Sequence, residues 1–248
     1  MGLFRHQEEI LLNQSHWQKK PILQLIYREF YRLIAAQLTD FADPLVVELG
    51  SGIGNIKEVI PNCIRTDVFP NPWLDQVENA YQLSFADGSV SDLILFDVFH
   101  HLRYPGTALL EFKRALRPRG RVIIFDPYVS LLGAVVYGIF HPEAMAYQSK
   151  IVWKAPQDWS ATQIDYYAAQ GNATRIFFGK SQSAFSNDWV MLQRKRLSAL
   201  SYVASGGYSK PQLYPDRIYP FLRAIEPTLE RFPMLFSTRA LVVLEKKG

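Results

Sequence analysis

The sequence predicts an α/β fold: an open, mostly parallel sheet with helices on both faces. Three observations carry this. Short apolar runs of five or six residues alternate with helical stretches between residues 45 and 125, the pattern of strands buried on both faces. The first of these runs ends directly in glycines, at Gly50 and Gly52. The chain has 248 residues, 48% of them hydrophobic and 20% charged, enough for one large core with a cap but cramped for two full domains.

The elements follow in order. Over residues 6–38, apolar side chains recur at three- and four-residue steps, among them Trp17, Leu23, Ile26, Tyr27, Phe30, Tyr31 and Ile34. That is a helical period, and Pro21 divides it into two helices. Asp43-Pro44 closes the second, because a residue before proline is pushed out of the α region. Leu45–Leu49 reads as the first strand, Asn55–Ile60 as the start of a helix, Cys63–Val68 as a second strand and Asp92–Phe96 as a third. Thr107–Leu116 is an amphipathic helix, Pro118 and Gly120 make a turn, and Arg121–Phe125 is another buried strand. Beyond Asp126 the periodicity weakens. Arg194–Ser205 reads as a strand, Asp216–Arg231 as a helix broken by Pro220 and Pro227, and Leu235–Glu245 as the last strand.

Composition excludes several classes. A single cysteine, Cys63, leaves no intramolecular disulfide and no Cys-rich zinc site. The net charge of +4 is too mild to announce nucleic-acid binding. The N-terminus carries early acids and no long apolar run, so it does not read as a signal peptide. The longest uncharged stretch, Pro127 to Pro142, has 16 residues, short of the ~20 that a spanning helix needs. The expected location is the cytoplasm.

The chemistry concentrates in Glu48-Leu49-Gly50-Ser51-Gly52-Ile53-Gly54. A strand, a glycine-rich turn and a helix start make a nucleotide or nucleoside site at the carboxyl edge of a parallel sheet. The glycines admit a ligand where a Cβ would collide. A dinucleotide fingerprint would place its third glycine at residue 55, which is Asn55. Asp67 ends the second strand, 17 residues after Gly50. A carboxylate there offers two acceptor oxygens to the two hydroxyls of a ribose.

With these residues in place, the chain resembles the class I S-adenosylmethionine-dependent methyltransferases, specifically their type 11 small-molecule group. The resemblance runs over about residues 45–127 and the final strand. Its elements are Val46–Gly54, Thr66-Asp67-Val68, Asn79–Ser89, His100-His101-Leu102 and Leu116–Arg121, in family order. It implies a Rossmann-like, seven-stranded sheet with an antiparallel last strand, and S-adenosyl-L-methionine as cofactor. N-terminal helices (1–40) and an α-rich or irregular cap (128–234) would surround the core (41–127), with 235–248 returning to the sheet. Gly50, Ser51 and Gly52 would wrap the methionine and ribose. Glu48 and Asp97, with its neighbour Val98, would hold the methionine part, whose ammonium and sulfonium are cationic. Asp67 would hold the ribose, Val68 would pack on the adenine, and Asn79 and Ala80 would meet its edge. Asn79 stands where the family has aspartate, and Ser84 where it has proline.

Plainer readings stand beside these. The glycines can serve a tight turn, Asp67 a helix cap, and Asp97 a strand end that turns favour anyway. Adjacent residues on a helix point about 100° apart, so His100 and His101 do not read as joint metal ligands, and no metal is expected. His100, Asp126 and Tyr128 are the candidates for a general base, with packing or capping as their alternatives. Asn71-Pro72-Trp73 resembles the signature of methylases acting on amino groups of DNA or glutamine, but it lies after the wrong strand. It reads as a proline-stiffened loop.

The expected reaction is methyl transfer to a small-molecule acceptor. Aromatic residues of the variable segments, including Tyr27, Tyr31, Tyr128, Tyr166, Tyr167 and Tyr208, suit an aromatic, lipid-like or sugar-containing one, with a place in the cap's core as the plainer reading. The alternatives are an inactive partner protein of the same fold and an NAD-dependent dehydrogenase, which Asn55 disfavours. Charge divides along the chain. Residues 1–150 hold 14 Lys and Arg against 16 Asp and Glu; residues 151–248 hold 13 against 7. The basic part, densest at Arg194-Lys195-Arg196, points to an anionic or lipid-linked acceptor or to peripheral contact with an anionic membrane. A solvated basic face is the plainer reading.

Overall fold

The structure is a computed structural model of the chain. It describes residues 2–140, 149–162, 167–179, 185 and 187–248. Tyr166, expected in the acceptor wall, lies outside the described residues. Helices α1 (Gly2–Lys19) and α2 (Pro21–Ala35) come first. The sheet strands are β1 (Val46–Leu49), β2 (Ile64–Asp67), β3 (Gln76–Val77), β4 (Val90–Phe96), β5 (Leu116–Pro127), β6 (Trp189–Leu197) and β7 (Arg239–Lys246). Between them stand α3 (Pro105–Ala115), α4 (Leu131–Val135), α5 (Asn172–Phe178), α6 (Leu200–Ser205), α7 (Tyr219–Leu229) and α8 (Pro233–Phe236).

The strands form one sheet in the order β3-β2-β1-β4-β5-β7-β6. β1 to β5 pair in parallel; β7 runs antiparallel between β5 and β6. This is the Rossmann-like sheet with an antiparallel last strand that the resemblance implied. Alternation along β4 explains the apolar run Leu93–Phe96. Leu93 and Leu95 face Leu109 and Phe112 of α3 and Ile176 and Phe177 of α5. Ile94 and Phe96 face Ile26, Phe30 and Ile34 of α2. Both faces are dry, and the strand's polar residues, Ser91 and Asp92, are buried with partners in the Leu45 carbonyl and Thr39.

Four local readings need correction. The helix expected at Asn55–Ile60 is a single 3-10 turn, Asn55–Glu58, since Pro61 bars Ile60 from the α region. The turn at Pro118 and Gly120 is an irregularity inside β5. Val90 pairs with Leu116 and Asp92 with Arg121, so residues 117–120 loop out of register. The strand read at Arg194–Ser205 lies earlier, at Trp189–Leu197, and α6 follows it. The last strand starts at Arg239, after the short α8. β6 falls within 128–234, so that span supplies a sheet edge as well as covering elements.

Candidate functional site

The carboxyl ends of β1, β2 and β4 meet at a cavity of about 400 Å³. Its floor is the turn after β1. That turn is fastened to β2: Ser51 N–H donates to the Thr66 carbonyl at 2.7 Å, and Thr66 N–H donates to Ser51 Oγ at 3.0 Å. Gly50 has φ +69°, and a Cβ there would lie 2.3 Å from Val98 Cγ2. Position 50 therefore needs glycine twice over, for conformation and for space. Gly52 differs. Its φ is +52°, but a Cβ would meet nothing closer than Ile10 Cδ1 at 3.8 Å, so its open face looks into the cavity. Asn71, in the proline-stiffened loop, braces the turn by donating to the Gly52 carbonyl at 3.1 Å.

Acidic groups sit around this turn. Asp67 accepts from the N–H groups of Gly52 at 3.3 Å and Phe69 at 3.2 Å, which hold its carboxylate at the cavity wall. Glu48 is 1% exposed and its Oε2 has no hydrogen-bond partner. Burial pushes its carboxyl up to about 7, against hydrogen bonds from Ser51 and Tyr31 that lower it. An orphaned carboxylate oxygen on a cavity wall invites a cationic ligand. Asp97 leaves β4 with φ +57°, uncommon for a residue with a Cβ. Its N–H donates to the Phe125 carbonyl at 2.9 Å, and its carboxylate is ion-paired with Arg239.

Arg239 is the site's largest surprise. It is 2% exposed, at the start of β7. Its guanidinium carbon lies 4.5 Å from the Tyr202 ring centre and 5.7–5.8 Å from those of Phe30, Phe96 and Phe125. A buried cation needs such company: an anion to pair with and ring faces to replace water.

All ten residues expected to hold the cofactor line the cavity: Glu48, Gly50, Ser51, Gly52, Asp67, Val68, Asn79, Ala80, Asp97 and Val98. Asn79 has its side chain engaged, donating to the Ala161 carbonyl at 2.7 Å and accepting from Tyr81 N–H at 3.0 Å. The three candidate bases do not line it. His100 and Asp126 are buried against each other, Nδ1 to Oδ1 at 3.0 Å. Tyr128 is 2% exposed and donates to Met234 Sδ. The histidine that reaches the cavity is the next one, His101, with Nδ1 2.7 Å from the Tyr167 carbonyl.

The opposite wall is aromatic. Tyr27 and Tyr31, one turn apart on α2, line the cavity with Phe96 and Tyr208. Tyr27 stacks on Phe96 at 5.1 Å and meets Tyr208 edge-on at 5.3 Å. Burial raises the phenols of Tyr27, Tyr31 and Tyr208 well above their ordinary value. They stay protonated, as hydrogen-bond donors.

Comparisons with known proteins agree with this geometry. Residues 47–124 match the model of a methyltransferase domain family, type 11. No curated protein matches the sequence. Among solved structures, the complex between the Haloferax volcanii Trm112 methyltransferase activator and a methyltransferase contains a similar chain. Identity is 16%, 88% of each chain is covered, and the TM-score is 0.52. The geranyl diphosphate C-methyltransferase of Streptomyces coelicolor A3(2) is similar at 13% identity, over 88% of this chain and 78% of that one, with TM-score 0.52. At such identities the likeness is one of fold. Residues 47–124 thus match a methyltransferase domain of type 11 on a Rossmann-like sheet, and the glycine turn suits S-adenosylmethionine, the cofactor of that domain family.

Proposed function

We propose that the cavity holds S-adenosylmethionine at its glycine-turn end and a small, lipid-like or sugar-containing acceptor at its tyrosine end. The observation that carries this is the cavity's lining. Carboxylates and open glycine backbone share it with an aromatic wall of Tyr27, Tyr31, Phe96 and Tyr208. Asp67 accepts the ribose hydroxyls, Val68 and Ala80 pack on the base, and Asn79 offers its remaining acceptor lone pair to the base's edge. Glu48, with its orphaned oxygen, takes the ammonium. When bound, the cofactor supplies a methyl group on a cationic sulfur, already activated for displacement.

What remains for the protein is alignment and dryness. Tyr27, Phe96 and Tyr208 exclude water from the acceptor end, and Tyr27 and Tyr208 lend hydroxyl donors to orient a polar acceptor atom. Asp97, fixed by Arg239, stands between the two ends. If the acceptor atom bears a proton, His101 is placed to receive it. A carbonyl oxygen only accepts, so His101 Nδ1 carries the hydrogen toward Tyr167 and Nε2 keeps its lone pair. The test is turnover of radiolabelled S-adenosylmethionine across prenylated, glycosylated and simple phenolic acceptors. Transfer to one of the first two supports the reading. Cofactor binding without transfer to any class would move the chain to the inactive-partner alternative.

A further inference from the structure

The carboxyl edge of the sheet carries an exposed apolar surface that the transfer reaction does not use. Leu131, Val135 and Ile139 stand four residues apart on α4 and the π-type turn Val136–Phe140 that continues it. They are 64%, 43% and 70% exposed. α8 packs beside α4: Ser130 Oγ donates to the Leu235 carbonyl at 3.1 Å, and Tyr128 reaches Met234 Sδ. At α8, packed beside it, Phe232, Met234 and Leu235 are exposed as well. Single exposed leucines are ordinary; three at helical spacing with three more at the adjoining helix are not.

The rim of this surface is basic. Arg196 lies over the Tyr128 ring at 5.6 Å and the Phe178 ring at 4.9 Å, and Arg194 lies over Phe178 at 5.5 Å. Arg194 is exposed, and exposed Arg231 immediately precedes Phe232. The chain from Pro127 to Pro142 holds no charge, and no helix among the described residues is long and apolar enough to cross a membrane.

We propose that this face docks on an anionic lipid surface, with α4 and α8 lying in the plane of the headgroups. Apolar side chains enter the acyl boundary, and the arginines meet lipid phosphates, the pairing that holds interfacial helices. Charge decides against a second copy of this chain as the occupant. A two-fold interface through this face would set its basic rim against itself. The inference goes beyond the acceptor reading, and its test needs no turnover.

The experiment is co-sedimentation of the full chain with sucrose-loaded vesicles of phosphatidylcholine, alone or mixed with phosphatidylglycerol. Binding is expected on the mixed vesicles, at least tenfold weaker on phosphatidylcholine alone, and reduced by salt. Leu131→Asp with Ile139→Asp should weaken it tenfold or more. Arg231→Gln should weaken it about fivefold. S-adenosylhomocysteine affinity, unchanged in all variants, shows that the fold and the cofactor site are intact. Equal binding to both vesicle types overturns the proposal, as do apolar variants that bind like the wild type. A dimer in sedimentation velocity that Leu131→Asp with Ile139→Asp dissolves would also overturn it, by assigning the face to self-association.

Discussion

Glu48 is where charge, burial and ligand meet most directly. Its carboxyl titrates near 7 in the fold against about 4.3 in an unfolded chain. The neutral form is therefore the one the empty fold prefers. The stability tied to it is complete below about pH 4.3 and is lost as pH rises through 7, by an amount of order 3 kcal/mol. Urea denaturation of the ligand-free protein should show this slope, and Glu48→Gln should flatten it. A bound ammonium reverses the preference, so S-adenosylhomocysteine affinity should rise with pH through 7 in the wild type and lose that rise in Glu48→Gln. At Asp67, truncation to alanine should weaken the same ligand by about 3 kcal/mol in calorimetry, the worth of charged hydrogen bonds to a ribose. His101→Gln should lower kcat for a protic acceptor by roughly a hundredfold or more with cofactor affinity unchanged. A loss of affinity instead would make the histidine a wall residue only.

The glycine turn and the strap over the cavity show how backbone geometry positions these side chains. Gly50→Ala meets two costs, the left-handed backbone and the Val98 contact, together about 2–3 kcal/mol. Adding Val98→Ala should restore only the steric share, which a double-mutant cycle in urea would read. On the other side, Lys20 ties the α1–α2 junction to the loop that carries Tyr208. The residue is nine-tenths buried, and its ammonium donates to the carbonyls of Ser205 at 3.3 Å, Gly207 at 2.6 Å and Lys210 at 2.5 Å. Lys20→Met leaves those carbonyls unsatisfied. Amide exchange at residues 206–210 should quicken, and turnover should suffer through the loosened Tyr208.

Across the whole molecule, the legible part was the part built by local rules. The runs at 45–49 and 92–96 and the glycines after Leu49 placed the sheet and its carboxyl edge, because a doubly buried strand and a tight turn leave plain signatures. The cofactor-side residues follow from them, since each sits at a strand end. The rest depends on distant contacts. Arg239 and Asp97 are 142 residues apart in the chain, and nothing in the dipeptide Thr238-Arg239 announces a buried cation. That His101 and not His100 reaches the cavity depends on which way a 3-10 turn faces, which spacing does not encode. Tyr27, Tyr31 and Tyr208 were visible as aromatics, but their shared wall exists only once α2 lies over β4. Basic charge at Arg194–Arg196 read as a feature of the variable half; the structure stacks both arginines on aromatic rings beside an apolar face. The central claim is that one cavity, with Asp67 and Glu48 on its walls, holds S-adenosylmethionine. Isothermal titration calorimetry of S-adenosylhomocysteine and of NAD into wild type and Asp67→Ala tests it most directly. Saturable one-to-one heat with S-adenosylhomocysteine, none with NAD, and a large loss in the variant is the predicted result; undiminished binding by Asp67→Ala would contradict it.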